Sequence, residues 1–193
     1  MSCVQGELTS GRILGSPSDT ARPCQNENVN AESGAQQKRV LFDTWMEAHR
    51  DFSAPLAMAG EPVDRRRFLA RVASLTGQQR DDDYVYLLLE RRPSEETPAY
   101  IGRAASPMRR WMEHLSGLAS GTGDYLRWRT RLLREGHDTT RFDLELLVVG
   151  ATHFLFPPLP GLPVTTEAVE DQLSNLAANA YPLRLLSHKS EGR

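Results

Sequence analysis

Cysteine is scarce in this chain: Cys3 and Cys24 are the only two in 193 residues, and both sit in a polar segment rich in Gly, Ser, Pro and Asn. Two cysteines so placed make neither a disulfide framework nor a zinc site, so free thiols in a reducing cytoplasm are the simple reading. Nowhere is there a run of about eighteen apolar residues, so no membrane-spanning helix is expected. The start, Met-Ser-Cys-Val-Gln, lacks a basic stretch followed by an apolar one, so no secretory signal is expected either. A large charge of one sign is missing too: the net charge is −2. What remains is the composition of a soluble, cytoplasmic protein, 39% hydrophobic and 25% charged, with enough apolar residues for a real core. Its length fits one ordinary domain plus extensions.

The charge is unevenly spread. Between Ala99 and Gly136 there are seven arginines, no lysine, and three acids (Glu113, Asp124 and Glu135) to offset them. A local positive face can attract phosphate even on a mildly acidic protein. Arg103, Arg109, Arg127 and Arg131 are the candidate nucleic-acid contacts. The competing reading is a pair of soluble, arginine-rich helix faces.

Residues 1–36 show no apolar periodicity and are rich in Ser, Asn, Gln, Gly and Pro, a composition expected to remain disordered. Val40, Leu41, Trp45, Met46, His49 and Phe52 then recur at spacings of three and four, predicting an amphipathic helix that Ser53-Ala-Pro55 stops. A second helix fits Glu61–Leu75, with Pro62 in its first turn and Gly77 as its stop. Together they predict an accessory helical pair over residues 37–79, with residues 37–77 as a surface for a protein partner. Tyr84–Leu89 reads as a β-strand, residues 91–98 as turn material, and Ala99–Gly102 as the returning strand, which makes the hairpin loop a long one. Ser106-Pro107 signals a helix start, and Ser116-Gly117 its end. A further helix is expected over 124–135, a strand over 142–150, a proline-rich insertion at 151–164, and a last helix from Thr165 or Thr166. The tail from 183 onward has room for one edge strand. The expectation is an α+β protein with a small, mainly antiparallel three-stranded sheet flanked by helices, in the order β-β-α-α-β-α.

Chemistry concentrates between Tyr84 and His114. Tyr84 and Tyr86 share one side of their strand by alternation, and pairing with residues 99–102 brings Tyr100 near Tyr86. Arg110 and His114, four apart, share a helix face. Gly102 allows a sharp turn or a close approach of a ligand. Taken singly these signals are weak, since a strand tyrosine is usually core and an Arg/His pair usually a solvated face. Their joint spacing is the informative feature.

That spacing resembles the GIY-YIG nuclease family, whose pattern runs Gly-Ile-Tyr, a loop, Tyr-Ile-Gly or Tyr-Val-Gly, then Arg-x-x-x-His on the next helix. Tyr84-Val85-Tyr86, Tyr100-Ile101-Gly102 and Arg110-Trp-Met-Glu-His114 are similar to these three elements. Glu170 matches the glutamate the family carries on a later helix, with Glu167 and Asp171 as close competitors. The resemblance covers roughly residues 84–185, within a domain expected over 83–187. The chain departs from the pattern at Tyr84, which replaces the leading glycine, and at Ala180–Arg184, where the family's supporting asparagine has no counterpart.

The resemblance implies a divalent-metal-dependent endonuclease that hydrolyses phosphodiester bonds in DNA, sequence-specific or branched. Its cofactor is Mg²⁺ or Mn²⁺, held by Glu170. Tyr86 would deprotonate or position the attacking water, Tyr100 and His114 would orient the hydroxyls, and Arg110 would bind phosphate. The departures leave a second reading open, a catalytically weakened or inactive nucleic-acid-binding module of the same fold. A third is a helical interaction protein whose working surface is residues 37–77.

Overall fold

The computed structural model describes residues 26–181, 185 and 186, with side chains from Ser33 onward. Its centre is a four-stranded, wholly antiparallel sheet in the order β1-β4-β2-β3. The strands are β1 (Ser53–Ala57), β2 (Tyr84–Arg92), β3 (Glu95–Ala104) and β4 (Asp143–Gly150). Five α-helices surround it: α1 (Asn26–Ala48), α2 (Arg65–Gln79), α3 (Pro107–Ser120), α4 (Tyr125–Leu132) and α5 (Thr166–Ala180). The chain is therefore α+β, with one strand more than the three expected. The added strand is β1, where the sequence signals only a helix stop. Pro55 has no N–H to donate, and β1 tolerates it because it is an edge strand, paired on one side alone.

The β2–β3 hairpin is also longer and tighter than expected. Pairing continues to Arg92↔Glu95, leaving only Pro93 and Ser94 in the loop. Arg91 bonds Glu96 at 2.6 Å, and Arg50 reaches the same carboxylate at 2.9 Å, so residues that read as turn material hold the strands together through charge. Pro98 is absorbed by a bulge where the register shifts between Leu88 and Leu89.

Both faces of the sheet are covered. Tyr84, Tyr86 and Leu88 of β2 share one core with Leu144, Leu146 and Val148 of β4, beneath α2, α3 and α4. Val85, Leu87 and Leu89 enter the other core with Leu147 and Val149, beneath α1 and α5. This explains the unbroken apolar run of β2, because a strand covered on both faces needs no polar side. The helices expected to pair over 37–79 lie on opposite faces: α1 packs against α5, and α2 against α3, β1 and β4.

Residues 26–36, expected to be disordered, form the beginning of α1; good helix formers such as Ala, Glu and Gln extend the register of the amphipathic segment backwards. Residues 1–25, with both cysteines, lie outside the described residues. Helix α2 starts at Arg65 rather than Glu61, because the Asp64 side chain caps it by accepting from the Arg67 amide at 3.0 Å. It runs through Gly77 and ends on left-handed Arg80. Helix α3 likewise runs through Gly117 to left-handed Gly121. Thr165 caps α5. Of the expected edge strand at 183–186, residues 183 and 184 lie outside the described residues. Leu186 donates its amide to Ala99 O at 2.7 Å along β3.

The segment 151–164 is tied down at several points. His49, buried under it, accepts the Leu155 amide at 3.2 Å, and the Trp45 indole donates to Phe156 O at 3.1 Å. Gln172 accepts from the Leu159 amide and donates to Pro163 O. Among the described residues, no helix is long and apolar enough to cross a membrane.

Candidate active site

Tyr86 lies opposite Gly102 in the hairpin register, and Gly102 is in β3, the outer strand of the sheet. With no side chain at 102, the Tyr86 ring lies across the strand; a Cβ there would stand 2.7 Å from the Tyr86 hydroxyl and 3.1 Å from Tyr100 Cε1. Tyr100 leaves β3 on the same side, its ring centroid 6.0 Å from that of Tyr86. From above, α3 lowers His114 onto the pair. His114 Nε2 is 3.5 Å from the Tyr86 hydroxyl, and its ring is 5.3 Å from that of Tyr100. Arg110, one turn earlier, is an exposed residue that bonds Glu113 at 3.1 Å and donates to the Tyr86 hydroxyl. Four of the five residues singled out in the sequence thus form one cluster.

The cluster continues beyond them. The Tyr125 hydroxyl, from α4, is 2.9 Å from His114 Nδ1. Trp128 stacks on His114 with centroids 5.0 Å apart and planes 17° from parallel, while Trp111 closes the floor against Tyr86. Sequence reasoning missed Tyr125. A usable signal was present in Gly117: a Cβ there would collide with the Tyr125 ring, so a glycine inside a helix marks a ring seated against it.

Burial sets the protonation of these groups. Tyr86 is 1% exposed, and burial pushes its phenol well above the usual tyrosine range; the Tyr100 hydroxyl adds to the rise and Arg110 opposes it. His114 is pushed down to about 4, by burial first and then by the Arg110 charge. At neutral pH Tyr86 is therefore a phenol and His114 a neutral imidazole. Arg110 itself is raised despite burial, through Tyr86 and Glu113.

Glu170 approaches from the other side. Arg103 and Ile101 alternate with Tyr100 and Gly102 along β3, and Ile101 belongs to the core beneath α1 and α5. Arg103 bonds Glu170 at 3.2 Å and Glu167 at 3.4 Å, gathering both α5 carboxylates at the sheet's outer strand. Glu170 is 9% exposed. Carboxylates and tyrosines so reach β3 from opposite faces, with Gly102 between.

The other candidate phosphate contacts divide. Arg109 and Arg127 are exposed. Arg131 turns inward and bonds Glu90, fully buried, at 2.6 Å. A cavity of about 440 Å³ opens beside the start of α3, lined by Arg80, Asp81, Tyr84 and Ser106 among others, but Tyr86, Tyr100 and His114 do not line it.

Among the described residues, no group of three or more His, Cys, Asp or Glu side chains could enclose a metal ion. A hard divalent ion such as Mg²⁺ does not need such a cage, because it keeps several waters and is held by one or two carboxylates together with substrate phosphates. Glu170 and Glu167, one helical turn apart and gathered on Arg103, fit that requirement. No family model matches the chain, and comparison with curated proteins and with solved structures likewise finds no match.

Proposed function

We propose that the protein is a GIY-YIG-type endonuclease that hydrolyses phosphodiester bonds in DNA with Mg²⁺ or Mn²⁺. The observation that carries this reading is the meeting of Tyr86, Tyr100 and His114 over Gly102, with Arg110 beside them. Three elements distant in sequence supply the hydroxyls, the imidazole and the guanidinium that phosphoryl chemistry uses. Arg110 binds phosphate oxygens and steadies the charge that develops on them. Tyr86, a phenol in the resting protein, holds the attacking water by hydrogen bonding, and neutral His114 receives the Tyr86 proton as that water is activated. Glu170 would hold the divalent ion, which when bound polarises a phosphate oxygen and stabilises the leaving oxygen. Arg109 and Arg127 extend the positive surface along the DNA backbone, while Arg103 holds the two α5 carboxylates.

The test is cleavage of plasmid and branched DNA by the purified protein with Mg²⁺ or Mn²⁺. Arg110→Ala and Glu170→Gln should each lower the rate roughly a hundredfold or more. Variants that cut as well as the parent would refute the assignment.

Two observations favour a second reading, a binding module that does not cut. Tyr86 is buried, and the Glu170 carboxylate is already engaged by Arg103. Salt-dependent DNA binding without cleavage under either ion would support it.

A further inference from the structure

We propose that Tyr125 is a positioning residue that fixes the tautomer of His114, keeping the proton on Nδ1 and turning the Nε2 lone pair toward Tyr86. The inference rests on the nuclease reading for its catalytic consequence, though not for its structural content.

A neutral imidazole has one N–H and one lone pair, and its hydrogen bonds decide which nitrogen carries which. His114 has a phenol at each end: Tyr125 at 2.9 Å from Nδ1 and Tyr86 at 3.5 Å from Nε2. Tyr86 keeps its proton and is buried, so its O–H needs an acceptor. Arg110 can only donate. Tyr100 offers a phenol oxygen, a far weaker acceptor than an imidazole lone pair. The Tyr86 hydrogen therefore goes to Nε2, the imidazole proton sits on Nδ1, and Tyr125 accepts it. The cluster is built around this arrangement. Gly117 leaves the space that the Tyr125 ring occupies, and Trp128 stacks on the imidazole so that it cannot tilt freely.

The consequence for the reaction is a balanced proton path. As the water oxygen bonds to phosphorus and the bond to the leaving ester oxygen breaks, the water proton passes to the Tyr86 oxygen and the Tyr86 proton to Nε2, while the leaving oxygen takes its proton from solvent. Hydroxide is delivered and an imidazolium remains, with its Nδ1–H still held by Tyr125. Were the tautomer reversed, Nε2–H would point at Tyr86 and nothing could receive that proton. The 3.5 Å separation is at the long end of hydrogen-bonding reach, as catalytic contacts often are before substrate binds.

The decisive measurement is the pair of imidazole ¹⁵N shifts of His114 at neutral pH in the full chain, assigned by their disappearance in His114→Gln. The expected result is a pyrrole-like Nδ1 and a pyridine-like Nε2, with Tyr125→Phe moving the proton toward Nε2. Tyr125→Phe should also lower kcat roughly tenfold or more with KM little changed, while the thermal midpoint stays near that of the parent. A pyridine-like Nδ1 in the parent overturns the proposal, and so does a Tyr125→Phe protein with unchanged shifts or unchanged kcat. If the parent cuts no DNA, the nuclease reading falls on its own; the nitrogen shifts then still decide whether Tyr125 sets the tautomer.

Discussion

Gly102 and Tyr86 face each other across the β2–β3 hairpin so closely that a single methyl group at 102 would lie 2.7 Å from the Tyr86 hydroxyl oxygen. That oxygen cannot move inward, because Trp111 and His114 pack behind its ring. Gly102→Ala should therefore displace the phenol rather than be absorbed. The expected outcome is a loss of cleavage of about a hundredfold with only a modest fall in stability, of order 1–3 kcal/mol for local overpacking. Parallel rate assays and urea unfolding would separate the two, and a fully active Gly102→Ala protein would show that the tyrosine position is not used.

Acid should weaken the fold through two buried histidines. His114 falls from 6.5 to about 4 and His49 is also lowered, both chiefly by burial. The unfolded chain binds protons at these sites first, so stability is complete above pH 6.5 and declines as pH falls toward 4. His114 alone contributes about 3 kcal/mol over that window. Urea midpoints measured from pH 7 to 4.5 should drop steadily, and less so in His114→Gln. An unchanged pH dependence in that variant would show that this imidazole is not held neutral by burial.

Two arginines of one helix should respond in opposite ways. Arg131 answers buried Glu90 at 2.6 Å, whereas Arg127 is exposed. Arg131→Ala removes the shorter of the two arginine contacts to that carboxylate, leaving Arg92 at 3.4 Å, and should cost about 1–3 kcal/mol of stability. Arg127→Ala should cost at most about 1 kcal/mol, as exposed contacts do, weaken DNA binding and reduce the dependence of affinity on salt concentration. Denaturation curves and binding titrations at several salt concentrations read both; an Arg127→Ala protein as destabilised as Arg131→Ala would contradict the distinction.

One of the ties that hold the segment 151–164 is a buried imidazole. His49 Nδ1 donates to Trp45 O at 2.7 Å, Nε2 accepts from the Leu155 amide at 3.2 Å, and the residue is fully buried. His49→Phe leaves that amide without its acceptor, at a cost of about 1–3 kcal/mol. Amide hydrogen exchange at Leu155 should accelerate selectively relative to the β2 and β4 amides. Uniformly faster exchange across the chain would mean that His49 supports the whole core rather than this segment.

Particular elements show how much could be read from the chain. The apolar stripe of α1, the cap and first-turn proline signal at Ser106-Pro107, and the run Leu146–Val149 each carry a periodicity or a stop signal that local physics enforces, and each became the expected element. Strand β1 did not advertise itself, because five residues with a proline become a strand only when a neighbour's open edge accepts them. Gly77 and Gly117 mislead as helix stops for a related reason. A glycine ends a helix where the backbone must turn left-handed, and at Gly117 its small size serves a neighbouring ring instead.

By itself, the order of residues determined the α+β class, the hairpin, and the company of Tyr86, Tyr100, Arg110 and His114, since alternation along strands and the four-residue spacing on α3 are local rules. Only the tertiary structure decided that α1 and α2 lie on opposite faces, that Arg131 points inward to Glu90, and that Tyr125 completes the His114 chain. Those outcomes depend on which surfaces meet once the sheet is closed on both sides, and packing between distant segments leaves no period in the sequence to read.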